Sequence, residues 1–222
     1  MALQKIVFIT GASRGIGKAF AKKFLKENYF VIGTSTSRKA TFKHKNLTFL
    51  KLDLSSKKEI DKCVKKFLKL NIKIDILINN SGIWSEKDED ATMYMDHLRK
   101  VLEVNLIGTI GLTEKLIPHI NKPGKIINIS SRSGSLSYLK NAYYPDYKIS
   151  KAALNMYTRI LAKRLENKKI IVASIHPGWV KTDMGGRDAD IEPKEAAEHI
   201  YERVISLKET GQFWFKQKKF PW

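Results

Sequence analysis

The feature that most constrains this chain is an alternation of two patterns along its length. Continuously apolar runs of strand length recur at residues 6–9, 30–34, 47–52, 74–78, 125–130, 170–175 and 212–216. Longer segments of helical period separate them, at about 16–26, 55–70, 93–120 and 146–165, with Pro193 opening a last helix. Ser55 is the expected cap of the second helix. Strands that are apolar throughout, rather than at every second residue, are covered on both faces. Strands that alternate with helices imply a parallel sheet joined by right-handed crossovers. The expectation is a doubly wound α/β fold: a seven-stranded parallel sheet with helices on both faces. At 222 residues the whole chain, 1–222, suits a single domain.

Composition narrows the class. Apolar residues make up 43% and charged residues 28%, an ordinary globular balance. No apolar run reaches the roughly 18 to 20 residues that cross a bilayer. Residues 1–10 hold a short apolar core followed at once by Gly11, with no small-residue cleavage site, so cytoplasmic residence is expected. The single cysteine, Cys63, falls in the helical pattern Ile60, Cys63, Val64, Phe67 and reads as core. A net charge of +19 invites a nucleic-acid or membrane partner. Yet the cations are scattered pairs such as Lys22–Lys23, Lys65–Lys66 and Lys168–Lys169, and lysine outnumbers the arginine that reads bases. They read as solvated helix faces that also steer an anionic cofactor, and neither partner is expected. The histidines show no metal-ligand spacing, so no metal is expected, and His176 reads as structural.

Between the first strand and first helix lies Thr10-Gly11-Ala12-Ser13-Arg14-Gly15-Ile16-Gly17. Glycines there let the backbone turn tightly and approach a pyrophosphate, while the helix N-terminus offers free N–H groups. A glycine turn alone is also a common structural device; its strand–turn–helix setting strengthens the dinucleotide reading.

This Gly-x-x-x-Gly-x-Gly spacing resembles that of the short-chain dehydrogenase/reductase family, and further segments match in order along nearly the whole chain. Asp53, followed by Leu54, resembles the family aspartate at the adenine ring. Asn79-Asn80-Ser81-Gly82 resembles its Asn-Asn-Ala-Gly motif, with Ser81 in place of alanine. Asn105 falls where the family carries an asparagine that holds a relay water. Pro177, Gly178, Val180 and Thr182 match the segment that closes over the nicotinamide. The wording around residues 181–186 and the ending Pro221-Trp222 are most similar to the small carbonyl-reductase branch with C-factor-like members. The resemblance implies a Rossmann oxidoreductase, and a homodimer or homotetramer.

NAD-selective relatives need a carboxylate near the end of the second strand. Between Glu27 and Asp53 there is none; Thr34, Ser35 and Arg38 stand there instead. With Arg14 they suit a 2′-phosphate, so NADP(H) is the expected cofactor.

Carbonyl chemistry needs a proton donor beside the oxygen, and an ammonium nearby is expected to lower a tyrosine's pKa. Two Tyr-x-x-x-Lys pairs offer this, Tyr147 with Lys151 and Tyr144 with Lys148. Pro145 favours an extended Tyr144 and a helix that starts after it, which leaves the first pair inside the helix. The stretch Tyr147–Ala153 also resembles the family's active-site segment, which makes Tyr147 the acid or base and Lys151 its helper. Ser131 is the expected hydroxyl at the substrate oxygen, with Ser133 and Ser135 open as alternatives. Trp84 is either a wall of the substrate mouth or a packed loop aromatic. The substrate is expected to be a small carbonyl compound or alcohol. A cofactor-binding regulatory protein with little turnover is the alternative reading.

Overall fold

The computed structural model describes residues 4–37, 41–84 and 91–222. In chain order the elements are β1 (Ile6–Ile9), α1 (Gly15–Lys26), β2 (Phe30–Ser35), β3 (Leu47–Lys51), α2 (Lys57–Leu68), β4 (Ile74–Asn79), α3 (Met95–Leu102) and α4 (Thr109–Leu116). They continue with β5 (Ile120–Ile129), α5 (Pro145–Leu165), β6 (Ile170–His176), α6 (Pro193–Ser206), β7 (Gln212–Phe215) and β8 (Lys218–Lys219). The sheet order is β3-β2-β1-β4-β5-β6-β7-β8. β1 to β7 run parallel, as expected for a Rossmann sheet, and the order reverses between β1 and β4. The eighth strand is an addition to the expected seven. β8 turns back antiparallel on β7, pairing Trp214 with Lys219, and its two lysines carry no apolar signal.

Successive strand residues point to opposite faces, so each apolar strand feeds two cores. Phe8, Ile32, Leu77, Ile126 and Val172 face α2, α4 and α5, where they meet Phe67, Leu112 and Leu161. Val7, Ile9, Val31, Ile78 and Ile175 face α1 and α6, where they meet Phe20, Phe24 and Ile200. Cys63 is fully buried in the first core.

Three local expectations are corrected. The period over 93–120 breaks into α3, a π-helical turn (Glu103–Gly108), α4 and a short 3-10 turn at Ile117–His119. At Gly108 a Cβ would lie 2.0 Å from the Leu54 carbonyl oxygen, so the widened turn rides directly on the loop after β3. The cap of α2 is Ser56, whose hydroxyl accepts from the Glu59 N–H at 3.3 Å; Ser55 is tied to Asp53 instead. Tyr144 is left-handed rather than extended, at φ 55 and ψ 53. Proline bars the right-handed helical region to the residue before it, and Tyr144 answers that restriction from the other side of the map. It still starts the helix, accepting from the Lys148 N–H at 3.0 Å.

Candidate active site

The glycine turn leaves β1 with Gly11 at φ +67 and Gly15 at φ +52, where side chains are disfavoured. A Cβ on Gly17 would lie 2.1 Å from the Gly11 carbonyl oxygen, so α1 seats against the turn only with glycine there. Ile16 points its side chain into the core beside α1. The first turn of α1 carries no acidic side chain, which leaves its positive end open to an anion. Neighbouring strand ends hold the turn in place. Thr10 Oγ1 accepts from both the Asn80 and Ser81 N–H groups at 2.9 Å. Asn80 Nδ2 donates to the Thr10 and Gly11 carbonyls at 2.9 and 3.3 Å, and Gly11 N donates to Thr34 Oγ1 at 3.3 Å. Thr10 is a site residue that motif reading missed. Its signal is a hydroxyl at the end of an apolar strand, opposite an asparagine.

The other expected nucleotide contacts are spread around this turn. Ser13 is fixed through its carbonyl, which accepts from Thr41 Oγ1 at 2.8 Å. Ser35 closes β2 with a buried hydroxyl that has no hydrogen-bond partner. Arg38 lies outside the described residues. Asp53 Oδ1 accepts from the Ser55 N–H at 2.9 Å and the Ser55 hydroxyl at 2.6 Å, which orients the carboxylate, and Leu54 beside it is buried. The loop after β6 reaches over the turn. Pro177 and Gly178 (φ +95) lead into buried Val180, and Thr182 Cγ2 would stand 3.3 Å from a Cβ on Gly15. Arg14 meets Asp183 at 2.8 Å across the same gap, with both side chains largely in solvent.

At the neighbouring strand ends the ionisable side chains gather. Lys151 is 4% exposed and donates from Nζ to the Ile129 carbonyl at 2.9 Å. Its ammonium lies 5.5 Å from the centre of the Tyr147 ring. Burial pulls Lys151 down to about 8. Burial pushes the Tyr147 phenol up to about 12, against the opposing hydrogen bond of Ser131. The expected lowering of the phenol by its lysine is therefore corrected: desolvation dominates, and the ammonium is spent on a main-chain carbonyl.

Ser131 is the hydroxyl placed at the phenol. It caps a 3-10 turn (Arg132–Gly134), accepting from the Ser133 N–H at 3.1 Å, while the Ser135 hydroxyl is buried elsewhere without a partner. Asn105, in the π-helical turn, accepts from the Ile83 N–H and donates to the Ile83 carbonyl, both at 2.8 Å, and also donates to Ser150 Oγ at 3.1 Å. π-turns often mark functional sites because one backbone step is rerouted. A Cβ on Gly82 would stand 3.4 Å from Asn105 Oδ1 and 3.5 Å from Lys151 Nζ. The second pair is drawn away. Tyr144 packs on Trp84 at 4.7 Å, and Lys148 Nζ bonds to Asn141 Oδ1 at 2.7 Å and to the Asn141 carbonyl.

A glycine cradle on one side of the crevice and a Ser–Tyr–Lys–Asn group on the other is the layout that the motifs anticipate. The sequence profile of the short chain dehydrogenase family matches residues 5–193. The chain belongs to that family. It is 34% identical over 191 residues to the 3-oxoacyl-[acyl-carrier-protein] reductase FabG of Aquifex aeolicus, covering 81% of this chain and 75% of the relative. It is 29% identical over 157 residues to C-signal of Myxococcus xanthus, covering 67% of this chain and 93% of that protein. The NADPH-bound carbonyl reductase from chicken fatty liver superposes with a TM-score of 0.91 at 29% identity, covering 99% of this chain and 94% of that one.

In this short chain dehydrogenase the strands beneath the site are joined by a buried polar chain that sequence reading missed. Asn79 Nδ2 donates to Thr113 Oγ1 at 2.9 Å and to Asn128 Oδ1 at 2.8 Å. Asn128 Nδ2 donates to Thr158 Oγ1 at 2.8 Å, and Thr158 shares a 2.8 Å bond with Ser174. His176 is buried against Phe215, ring centres 4.9 Å apart, and burial with the Arg132 charge drives it down to about 3. Among the described residues no group of three or more side chains is arranged to hold a metal.

Proposed function

We propose that this protein is an NADP(H)-dependent reductase that passes hydride to a small aldehyde or ketone. The observation that carries the reading is the meeting of the Tyr147 phenol, the Ser131 hydroxyl and the Lys151 ammonium beside a cradle that no side chain at Gly17 would leave open. The cradle fits a dinucleotide: free N–H groups, two left-handed glycines and no acid in the first helical turn. Thr34 and Ser35 end β2 where an NAD-selective chain would place a carboxylate, and Arg14 stands in solvent nearby. The relative from chicken fatty liver, bound to NADPH, supports the same cofactor.

The reduced nicotinamide, when bound, supplies the hydride. The rest falls to this chain's own groups. Ser131 Oγ holds the substrate oxygen, and Tyr147 Oη delivers the proton that the oxygen gains. A phenol held high stays protonated at neutral pH, which suits an acid; in the reverse direction a cation is needed to make it a base. Among the described residues Lys151 is the one cation set against its ring. It also suits the ribose hydroxyls of the cofactor. Asn105 fixes the Ile83 main chain and Ser150, and so keeps the proton path beside Lys151 in register.

The C-signal relative favours a second reading, cofactor binding with little turnover. Ile149, Met156 and Ile160 are exposed at 41, 59 and 57% along α5, and this stripe is the proposed face of a homodimer. NADPH oxidation against aldehydes, ketones, quinones and a 3-oxoacyl thioester tests the main reading, with Tyr147→Phe alongside. The variant is expected to lose at least about a hundredfold in kcat. A variant that turns over at the wild-type rate overturns the assignment, and silence across the panel favours the second reading.

A further inference from the structure

A cavity of about 200 Å³ opens at the carboxyl ends of β6 and β7, and its lining includes Arg132, His176, Asp190 and Lys216. Arg132 of this lining directly follows Ser131 in the chain. Ser130 N donates to the Ile175 carbonyl at 2.9 Å, so the chain bearing Ser131 and Arg132 leaves β5 beside His176. Across the next ladder His176 pairs with Phe215, which precedes Lys216.

The cavity wall holds cations without carboxylate partners. Among the described residues neither Arg132 nor Lys216 forms an ion pair, although the same surface pairs Lys181 with Glu192 at 3.0 Å and Lys219 with Glu209 at 2.7 Å. Among the described residues Asp190 is the one carboxylate in the lining, against the two cations Arg132 and Lys216. Lys216 sits in left-handed backbone at φ 51, a conformation unusual for a long side chain, and its ammonium lies 5.8 Å from the centre of the Phe215 ring. The floor is His176, 6% exposed, with an Nδ1 that has no hydrogen-bond partner. Lys140, with the Arg132 charge, also favours the ionised form of the Tyr138 phenol in the same lining. A guanidinium fork and an ammonium facing one small cavity are the groups that recognise an oxyanion.

We propose that this cavity receives an anionic group, so that the preferred substrate is a small carbonyl compound bearing a carboxylate or phosphate a few bonds from its carbonyl. The inference rests on the reductase reading above and adds the class of substrate. The test compares 4-carboxybenzaldehyde and 4-formylphenyl phosphate with neutral 4-methylbenzaldehyde, in wild type, Arg132→Gln and Lys216→Gln. The wild-type kcat/KM ratio of anionic to neutral aldehyde is expected to exceed about tenfold, and to fall by about tenfold in Arg132→Gln. Lys216→Gln is expected to show a smaller fall. Whichever anion gives the larger ratio names the group. Calorimetric titration of 4-carboxybenzyl alcohol with NADPH present, a dead-end pair that cannot exchange hydride, gives a readout free of turnover, and Arg132→Gln is expected to weaken that binding by about tenfold. A ratio and a binding constant that both variants leave unchanged would sink the inference. Loss of all turnover with charge-dependent binding intact would sink the reductase reading alone.

Discussion

The two halves of the crevice are built on different principles. Over β1, β2 and β4 the surface is made of main chain, glycine, threonine and asparagine, with short neutral hydrogen bonds from Thr10 and Asn80 locking the turn. Over β5, β6 and β7 it is made of cations, phenols and aromatic rings. There burial holds Tyr147 near 12, Lys151 near 8 and His176 near 3, all away from their ordinary values. The first half needs only a fixed shape, because its ligand does not change. The second carries charge into a dry site, where electrostatic effects are strongest and where the fold gives up stability to keep them.

Four substitutions sharpen or break that contrast, from the largest expected effect to the smallest. Gly17→Ala puts a methyl 2.1 Å from the Gly11 carbonyl. The overpacking costs up to about 3 kcal/mol, so NADPH affinity should drop about a hundredfold in a fluorescence titration. Unchanged affinity would mean that the turn is not rigid.

Lys151→Met should abolish turnover yet raise stability at pH 7 by about 2 kcal/mol, the relief of a buried charge less one lost hydrogen bond. Because the folded lysine titrates near 8 and the unfolded one near 10.5, the unfolded chain holds the extra proton between those values. Wild-type stability therefore rises with pH across that window. The advantage of methionine should shrink over the same range in urea titrations. A constant gap would mean that Lys151 is not buried as a charge.

His176→Phe tests the same idea from the acid side. The folded imidazole resists protonation until about pH 3, against 6.5 when unfolded, so wild-type stability is lost as pH falls through that interval. The variant should gain about 1 kcal/mol relative to wild type at pH 5.5 compared with pH 8. Parallel pH profiles would refute it. Finally, Asp183→Asn removes a pair whose side chains are 80% and 77% exposed. No shift in Tm is expected in calorimetry, because exposed pairs are screened.

The neutral half was legible in the sequence because backbone demands leave their mark on residue type. Gly11 and Gly15 take left-handed backbone and a side chain on Gly17 would collide with the Gly11 carbonyl, and their spacing between a strand and a helix announced the turn. Tyr147 and Lys151 were legible because helical geometry fixes residues four apart. What escaped notice depends on neighbours distant in the chain. Thr10 meets Asn80 and Ser81 only once β1 lies beside β4, and the link from Asn79 through Asn128 to Thr158 spans three elements. The direction of the Tyr147 shift depends on how much water the fold excludes, which a lysine four residues away does not reveal. The π-turn around Asn105 likewise ends at Gly108, whose close approach to Leu54 joins residues distant in the chain.

The small hairpin at the far side of the sheet has a consequence of its own. A bare β7 would offer a row of unpaired amides and carbonyls to any passing strand, the usual seed of polymerisation. β8 covers that row with two exposed lysines, one of them anchored by Glu209 at 2.7 Å and lying over the Trp214 ring. A second molecule approaching edge-on meets like charge and only two residues of ladder. The hairpin thus ends the sheet with a short, lysine-bearing edge instead of a bare row of main-chain groups.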